Sequence, residues 1–380
     1  GRKGRAVHHR SDAEIQPGAI IGNPYELTVT EGMLDLWLQS FYTHNPSDTS
    51  GVFAQEIKGN NGGTMAVPFM MALYLCVSMS DTHGAIYHLG FRNAQIIYPI
   101  HTGDTVRQKI TMLSVRNTAD GKRSVVTTLR ELVNVESDEV VFRTEKMELY
   151  AVQRANFGSH ETTPDYTANL NGENCFRDSA VKGWLKARSL RLNWAGYTGS
   201  RLRVNKDEVL LHSFARPLGV SANLALSTRF LVTHPIHLDH RLYDQGEGLG
   251  VVVSGGLVIS LILGAAARDF SHVVWEELIA ANNVRTVSPN ETVGAFSVII
   301  DQQPYPGNEA LEVLVVKTIG VKSISPTMDM SELIIPDALL KPIVGGGSKY
   351  DDLCKAFHIP ALEGKVVGEV LRRVVREIAK

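Results

Sequence analysis

Two long apolar stretches stand out in the pattern of hydrophobic and polar positions along the chain. Residues 65–79 and 251–267 are apolar at almost every position. At this length, the pattern predicts a helix that is buried on all sides rather than a strand. Each such helix needs other elements around it, so we expect two cores within one chain.

Strand-like runs follow each buried helix, and a shorter amphipathic helix precedes it. The shorter helices are predicted to begin at Thr30-Glu31 in the first half and to span 222–230 in the second. A buried helix with an antiparallel sheet long enough to curl around it is the hotdog arrangement. The runs that predict strands are 25–28, 94–98, 106–116, 124–135 and 139–152 in the first half, and 283–287, 292–301 and 311–323 in the second.

A local repeat supports this duplication. Residues 93–106 read NAQIIYPIHTGDTV, and residues 283–293 read NVRTVSPNETV with a shorter loop after the proline. One such sheet exposes an edge that a second can pair, so we expect an α+β pseudo-dimer of two hotdog domains within the chain. The predicted segments are a basic leader at 1–18, an N-terminal hotdog domain at 19–155, a linker at 156–206, a C-terminal hotdog domain at 207–340, and a hinge with a C-terminal amphipathic helix at 341–380.

The last segment has a helical period. Its apolar residues recur at helical spacing between 363 and 380, the remainder is mostly basic, and Gly345-Gly346-Gly347 precedes it as the predicted hinge. Two interpretations stay open. The helix packs on its own domain, or it binds a protein partner in a larger complex.

Composition narrows the function classes. The formal net charge of -2 gives no reason to expect nucleic acid as a direct substrate. The three cysteines form no CxxC pair, which is typical of a reducing compartment. We expect no membrane span, because no run approaches the roughly 20 apolar residues that a spanning helix needs. The basic start is either a targeting remnant, which favours the mitochondrial matrix, or a simple tail, which favours the cytoplasm.

The stretch 233–261 carries the most informative motif. It reads THPIHLDHRLYDQGEGLGVVVSGGLVISL. This resembles the signature of the MaoC-like hydratases, in which an Asp-x-Asn-Pro-x-His segment is followed by a small-residue turn that opens the central hotdog helix. The resemblance is nearest to the two-hotdog mesaconyl-CoA hydratase branch and covers most of 25–338. It implies reversible addition of water to an enoyl-CoA thioester, without a cofactor or a metal.

The resemblance also assigns roles to residues. The family histidine falls on His237, Gly255 would offer its backbone N–H to the thioester oxygen, and Ser254 or His234 would assist. The position of the family aspartate holds Val232 in the second half and Thr43 in the first, so neither half has the intact Asp–His pair. The candidates for contacting the phosphates of CoA are Arg92, Lys109, Arg268 and Arg285.

Three functions remain open at this point. The first is a hydratase or dehydratase of a short enoyl-CoA. The second is a catalytically inactive structural subunit of a large, mitochondrial assembly, which the absent aspartates and the predicted terminal helix favour. The third is acyl-CoA binding without turnover.

Overall fold

The computed structural model describes residues 3–4, 15–16, 18–51, 66–79, 84–158, 202–242, 250–306 and 309–378. Most of the predicted leader and most of the predicted linker lie outside these residues. In the part of the chain that the structure describes, no helix is both long enough and apolar enough to cross a membrane.

The described strands form one antiparallel sheet. Its strand order is β1-β3-β4-β5-β2-β7-β10-β9-β8-β6, so five strands of the first half are followed by five of the second. The strands are β1 Ile20–Thr28, β2 Ala85–Ile96, β3 Thr105–Asn117, β4 Ser124–Asn134, β5 Val140–Tyr150, β6 Val209–Leu211, β7 Val273–Asn283, β8 Val293–Pro304, β9 Leu311–Lys322 and β10 Val366–Glu377.

The two predicted buried helices are present, each shorter than its apolar stretch. The helix at 69–78 is buried at every residue, and the helix at 255–266 is buried from Gly256 onward. Both are apolar on all faces, so the sheet must surround them. The described helices are α1 Glu31–Ser40, α2 Pro46–Thr49, α3 Phe69–Ser78, α4 Val220–Arg229, α5 Gly255–Ala266, α6 Pro326–Asp329, α7 Asp337–Leu340 and α8 Gly347–Ala356.

The two halves join where β2 pairs with β7. The pairing is antiparallel, and Phe91 lies opposite Ala281. A side chain at Gly90 would collide with the carbonyl of Ala281, which explains the glycine at this close approach. The Arg92 guanidinium donates to the Ala281 carbonyl, at 2.9 Å, and to the Asn282 side chain, at 2.8 Å. The predicted α+β pair of hotdog halves is confirmed.

The predicted C-terminal helix is wrong. Residues 366–377 form β10, which lies between β7 and β9 and is buried at every position. The partner-binding interpretation of that helix is therefore wrong as well. The glycines before it lead into α8, which begins at Gly347, rather than into a terminal helix.

Buried ion pairs explain why the spacing of apolar residues in the last segment led to the wrong prediction of a helix. The basic residues of β10 are not on a solvated face. They pair with acids of the neighbouring strands, so charged positions are buried as fully as apolar ones. The pairs are Arg372 with Glu276, Arg373 with Glu277, and Arg376 with Glu312. Glu276 and Glu277 made β7 look unlike a buried strand in the sequence. The run 283–287 that was predicted as a strand overlaps β7 at residue 283 alone.

An inserted segment, residues 323–365, separates β9 from β10, whereas a tight turn joins the equivalent β4 and β5. It is held to the sheet through Glu369, which pairs with Lys317 at 3.1 Å, both side chains being fully buried. The Tyr350 hydroxyl donates to Glu369 at 2.7 Å, and the backbone N–H of Val344 donates at 3.0 Å. This cluster fixes the insertion to the centre of the second half.

Replacing Lys317 with Met should destabilise the protein by about 3–5 kcal/mol, because Glu369 would then be buried without its cation. Urea unfolding followed by circular dichroism measures this change. The double variant Lys317→Met/Glu369→Gln should recover part of the loss. A single variant within about 1 kcal/mol of the wild type would contradict the assignment of this pair as the anchor of the insertion.

Candidate functional site

A cleft with a volume of about 200 Å³ opens at the N-terminus of α5. Both halves line it, because the β2–β7 junction brings the start of β2 next to the start of α5. The structure places all four sequence-predicted site residues in its wall. They are His234, His237, Ser254 and Gly255.

His237 lies at the end of a short 3₁₀ turn, residues 235–237. Its Nδ1–H donates to the Val252 carbonyl at 2.8 Å, which leaves Nε2 as the unprotonated nitrogen of the neutral ring. Burial lowers the pKa of His237 to about 4, although the hydrogen bond to Val252 raises it, and the nearby charge of Lys146 contributes to the decrease. The imidazole is therefore neutral at pH 7 and can accept a proton.

His234 has both ring nitrogens engaged. Its Nδ1 accepts from the Ile236 N–H at 3.3 Å, so its Nε2–H donates to the Ala85 carbonyl of the first half at 3.0 Å. The ring thereby ties the 3₁₀ turn to β2. This geometry suits a residue that positions His237 better than one that exchanges protons.

Gly255 and its neighbour Gly256 begin α5. The first backbone hydrogen bonds inside the helix are donated by Leu257 and Val258 to the Ser254 carbonyl, so the N–H groups before them have no partner within the helix. The positive end of the helix dipole adds to their attraction for an oxyanion. A side chain at Gly255 would collide with the Asn283 amide and the His88 ring, so only glycine fits here.

Ser254 precedes the helix but does not cap it with its side chain. Its hydroxyl instead forms a 3.0 Å hydrogen bond with the Tyr74 hydroxyl of α3. Burial raises the pKa of Tyr74 well above its usual value, so the phenol remains protonated. The two buried helices are thus linked by hydroxyl groups at the edge of the cleft.

Sequence reasoning missed His88 and Asn283, which form the wall beside Gly255. The Asn283 amide donates to His88 Nδ1 at 3.4 Å, and His88 Nε2–H donates to the Gly90 carbonyl at 3.2 Å. Burial lowers the pKa of His88 to about 3, so this ring is also neutral. The sequence could have pointed to Asn283, because this residue begins the second copy of the local repeat. His88 belongs to no motif.

A buried charged group, which we call the cationic cluster, comprises Arg130, Lys146 and Glu148. Glu148 pairs with Arg130 at 3.0 Å and with Lys146 at 2.8 Å. Burial raises the pKa of Glu148, but the two cations outweigh this effect and bring the pKa to about 2. The carboxylate is therefore ionised at pH 7. Lys146 and Glu148 line the cleft.

Val232, which replaces the family aspartate, also lines the cleft. Among the described lining residues, Glu148 is the sole acid, and it is committed to the cationic cluster. Among the described lining histidines, His88 and His234 have both ring nitrogens in hydrogen bonds, whereas the hydrogen bond of His237 engages Nδ1.

The cleft at the equivalent place in the first half is much smaller. The Val67 N–H donates to the Ile100 carbonyl as Val253 does to Val287, so Pro68, Phe69 and Met70 stand where Ser254, Gly255 and Gly256 stand in the second half. The cleft there has a volume of about 80 Å³. Thr43 and Asp48, at the positions of the family pair, hydrogen-bond to each other at 3.2 Å. The glycine start that opens the site is confined to the second half.

Of the four candidates for CoA phosphate contacts, Arg285 alone lines the cleft, and it is bound to Asp351 and to the Val366 carbonyl. Arg92 is committed to the β2–β7 junction, as described above. Lys109 pairs with Glu131 on the outer part of the sheet, and Arg268 is exposed beyond the far end of α5.

Comparison with known proteins agrees with this architecture, although no family model matches the chain. Its sequence is 22% identical over 318 residues to a β-methylmalyl-CoA dehydratase from Chloroflexus aurantiacus, covering 81% of this chain and 87% of that protein. A solved MaoC domain dehydratase from the same organism superposes with a TM-score of 0.69 at 18% identity, covering 96% of both chains. A Mycobacterium tuberculosis protein described as a double hotdog superposes with a TM-score of 0.66 at 12% identity, covering 96% of this chain and 97% of that one.

These likenesses, with the sheet order above, define a double hotdog protein. Within that class, the solved structure and the sequence relative from Chloroflexus are both dehydratases, one of the MaoC type and one of a CoA thioester. The chain is similar to these two proteins, and the fold is what the similarity shows. The narrower resemblance to mesaconyl-CoA hydratase stays a prediction.

Two glycines of the same helix provide a matched test of the site. Gly255→Ala should destabilise the protein by about 1–3 kcal/mol, because the added methyl group overpacks the wall formed by Asn283 and His88. Gly264→Ala, at the other end of α5, meets its nearest atoms at 3.4 Å, an ordinary contact. Thermal and urea unfolding of both variants measures the difference. Equal stability of the two variants would contradict the tight wall at Gly255.

Proposed function

We propose that the chain is an enoyl-CoA hydratase or dehydratase with one active site, the cleft at the N-terminus of α5. The observation that carries this proposal is the presence in one cleft of an unprotonated His237 nitrogen and the N–H groups that begin α5 and have no partner within the helix. One group can accept a proton while the other stabilises the negative charge that the same reaction creates on the thioester oxygen.

In the hydration direction, His237 Nε2 takes a proton from water as the water oxygen bonds to the β-carbon of the enoyl thioester. The electron pair of the double bond moves toward the thioester carbonyl, and the resulting enolate oxygen accepts a hydrogen bond from the Gly255 N–H. The His237 imidazolium then returns its proton to the α-carbon, so that water is added and the base is regenerated. Dehydration follows the same steps in reverse.

The other predicted residues support these two groups. Ser254, bonded to Tyr74, presents a hydroxyl beside the helix terminus, and His234 holds the 3₁₀ turn of His237 against the first half. A CoA thioester as the substrate is supported by the relative whose name is β-methylmalyl-CoA dehydratase.

A second candidate is acyl-CoA binding without turnover, and the valine at position 232 favours it. Without the aspartate, activation of water depends on His237 alone, because the hydrogen bonds of His88 and His234 engage both of their ring nitrogens. The structural-subunit hypothesis has lost the terminal helix on which it partly depended.

His237→Gln should lower the rate of hydration of crotonyl-CoA or mesaconyl-CoA by about 10²–10⁴-fold, the usual contribution of a general base. Loss of enoyl absorbance measures the rate. His240→Gln is the matched control, because His240 is exposed on the same segment and lies outside the cleft wall. A wild-type protein that binds these thioesters without any rate above background would favour the second candidate.

The pH dependence should show His237 as a base whose pKa is well below the usual 6.5. Because its pKa is about 4 in the folded protein, kcat/KM should stay level from pH 8 to about pH 5 and fall only below that. The unfolded chain binds this proton below about pH 6.5, so the stability contributed by the neutral ring should decrease as the pH falls from 6.5 toward 4. A rate profile that falls by half near pH 6.5 would contradict the buried neutral imidazole.

A further inference from the structure

We propose that the side-chain amide of Asn283 is a second hydrogen-bond donor to the enolate oxygen, beside the backbone N–H of Gly255. His88, from the other half of the chain, orients this amide. This inference deepens the proposed function and rests on it for the placement of the thioester oxygen.

Position is the first support. Asn283 ends β7, lines the cleft and is 8% exposed. A Cβ at Gly255 would overlap the amide nitrogen of Asn283, and a Cβ is one bond of about 1.5 Å from its Cα, so this nitrogen lies within about 4 Å of the Gly255 Cα. In a helix, each Cβ tilts toward the N-terminus. The amide therefore lies on the N-terminal side of Gly255, the side to which the first N–H groups of α5 point.

Orientation of the amide is the second support. The Gly90 carbonyl can only accept a hydrogen bond, so His88 Nε2 carries the hydrogen of the neutral ring and His88 Nδ1 is an acceptor. Burial lowers the pKa of His88 to about 3, which keeps the ring in this form at pH 7. An acceptor needs a donor opposite it, so the nitrogen of the Asn283 amide, at 3.4 Å, faces His88 rather than the oxygen.

The unused hydrogen of this amide is the third support. An amide nitrogen carries two hydrogens, and within the described residues Asn283 uses one of them, in the bond to His88. Its Oδ1 is buried and has no hydrogen-bond partner in the same part of the chain, so the nitrogen is the polar atom that it can offer to the cleft. A donor that is already oriented beside a helix N-terminus suits a developing oxyanion, because it need not reorganise during the reaction.

Infrared spectroscopy of a bound thioester tests the second donor without requiring turnover. Butyryl-CoA, isotopically labelled at its thioester carbonyl, has no double bond to hydrate. Hydrogen bonds to a carbonyl oxygen lower its stretching frequency, so the labelled band should move to lower frequency when the wild type binds the ligand. The shift should be smaller in Asn283→Leu, which keeps the Gly255 N–H but has no amide. Equal shifts in the two proteins would overturn the proposal.

Two variants at position 283 separate donation from packing. Asn283→Leu keeps the size of the side chain, whereas Asn283→Ala also opens space. Both should lower the rate of crotonyl-CoA hydration by about 10²–10³-fold, the usual loss when one oxyanion donor is removed. If Asn283 served packing alone, the leucine variant would hydrate crotonyl-CoA like the wild type. Urea unfolding should show that this variant is about as stable as the wild type, because it also removes the buried Oδ1.

The orienting role of His88 has its own test. His88→Phe removes the acceptor Nδ1 and leaves the amide free to turn, so the infrared shift should fall as it does in Asn283→Leu. Adding His88→Phe to Asn283→Leu should lower it no further, because both act through one donor. Asn117→Ala is the matched control, since it removes an amide at the end of β3, outside the cleft wall, and should leave the shift unchanged. Additive losses in the double variant would contradict the role of His88.

Failure of the second donor and failure of the proposed function are distinguishable. If crotonyl-CoA is hydrated and Asn283→Leu changes neither the rate nor the infrared shift, the second donor is wrong and the hydratase stands. If the shift depends on Asn283 but no enoyl-CoA is hydrated, the second donor stands and the catalytic role of His237 is wrong. A wild-type protein that does not bind butyryl-CoA would contradict both.

Discussion

The pairing of β2 with β7 is the contact on which the rest of the structure depends. The pairing leaves neither of these two strands as a sheet edge. It also brings residues of the first half against the start of α5 in the second half. His88, Lys146 and Glu148 come from one half, and His237 and Gly255 from the other. Neither half could form the cleft by itself.

Duplication has left the two halves with unequal roles. Where the second half begins its central helix with Ser254, Gly255 and Gly256, the first begins with Pro68, Phe69 and Met70, which line a cleft of about 80 Å³ instead of about 200 Å³. Arg372 stands at the position in β10 that corresponds to Glu148 in β5, so the sign of the charge at this position differs between the two clefts. The first half supports the site of the second while offering a much smaller cleft of its own.

The elements with a simple period could be predicted from the sequence. Both buried helices, the N-cap at Thr30 and the hairpin of β3 and β4 followed from apolar runs and turn residues. Residues of the motif at 234–237 and 254–255 could be predicted to lie together. The strands β7 and β10 could not, because their charged residues are buried in cross-strand pairs that no local pattern reveals. His88 and the cationic cluster depend on pairing between distant segments, and for that reason they had no local signal.

The central position of β10 sets an order of assembly. The first half has all its strands by residue 150, but the second lacks the strand between β7 and β9 until residues 366–377 have been made. Until then β9 has no neighbour on that side, and the inserted segment has no Glu369 to hold it. Because such distant contacts form slowly, completion of this sheet should be the late step of folding. Until β10 is in place, β7 has an exposed edge beside its pairing with β2, and a second chain could pair there.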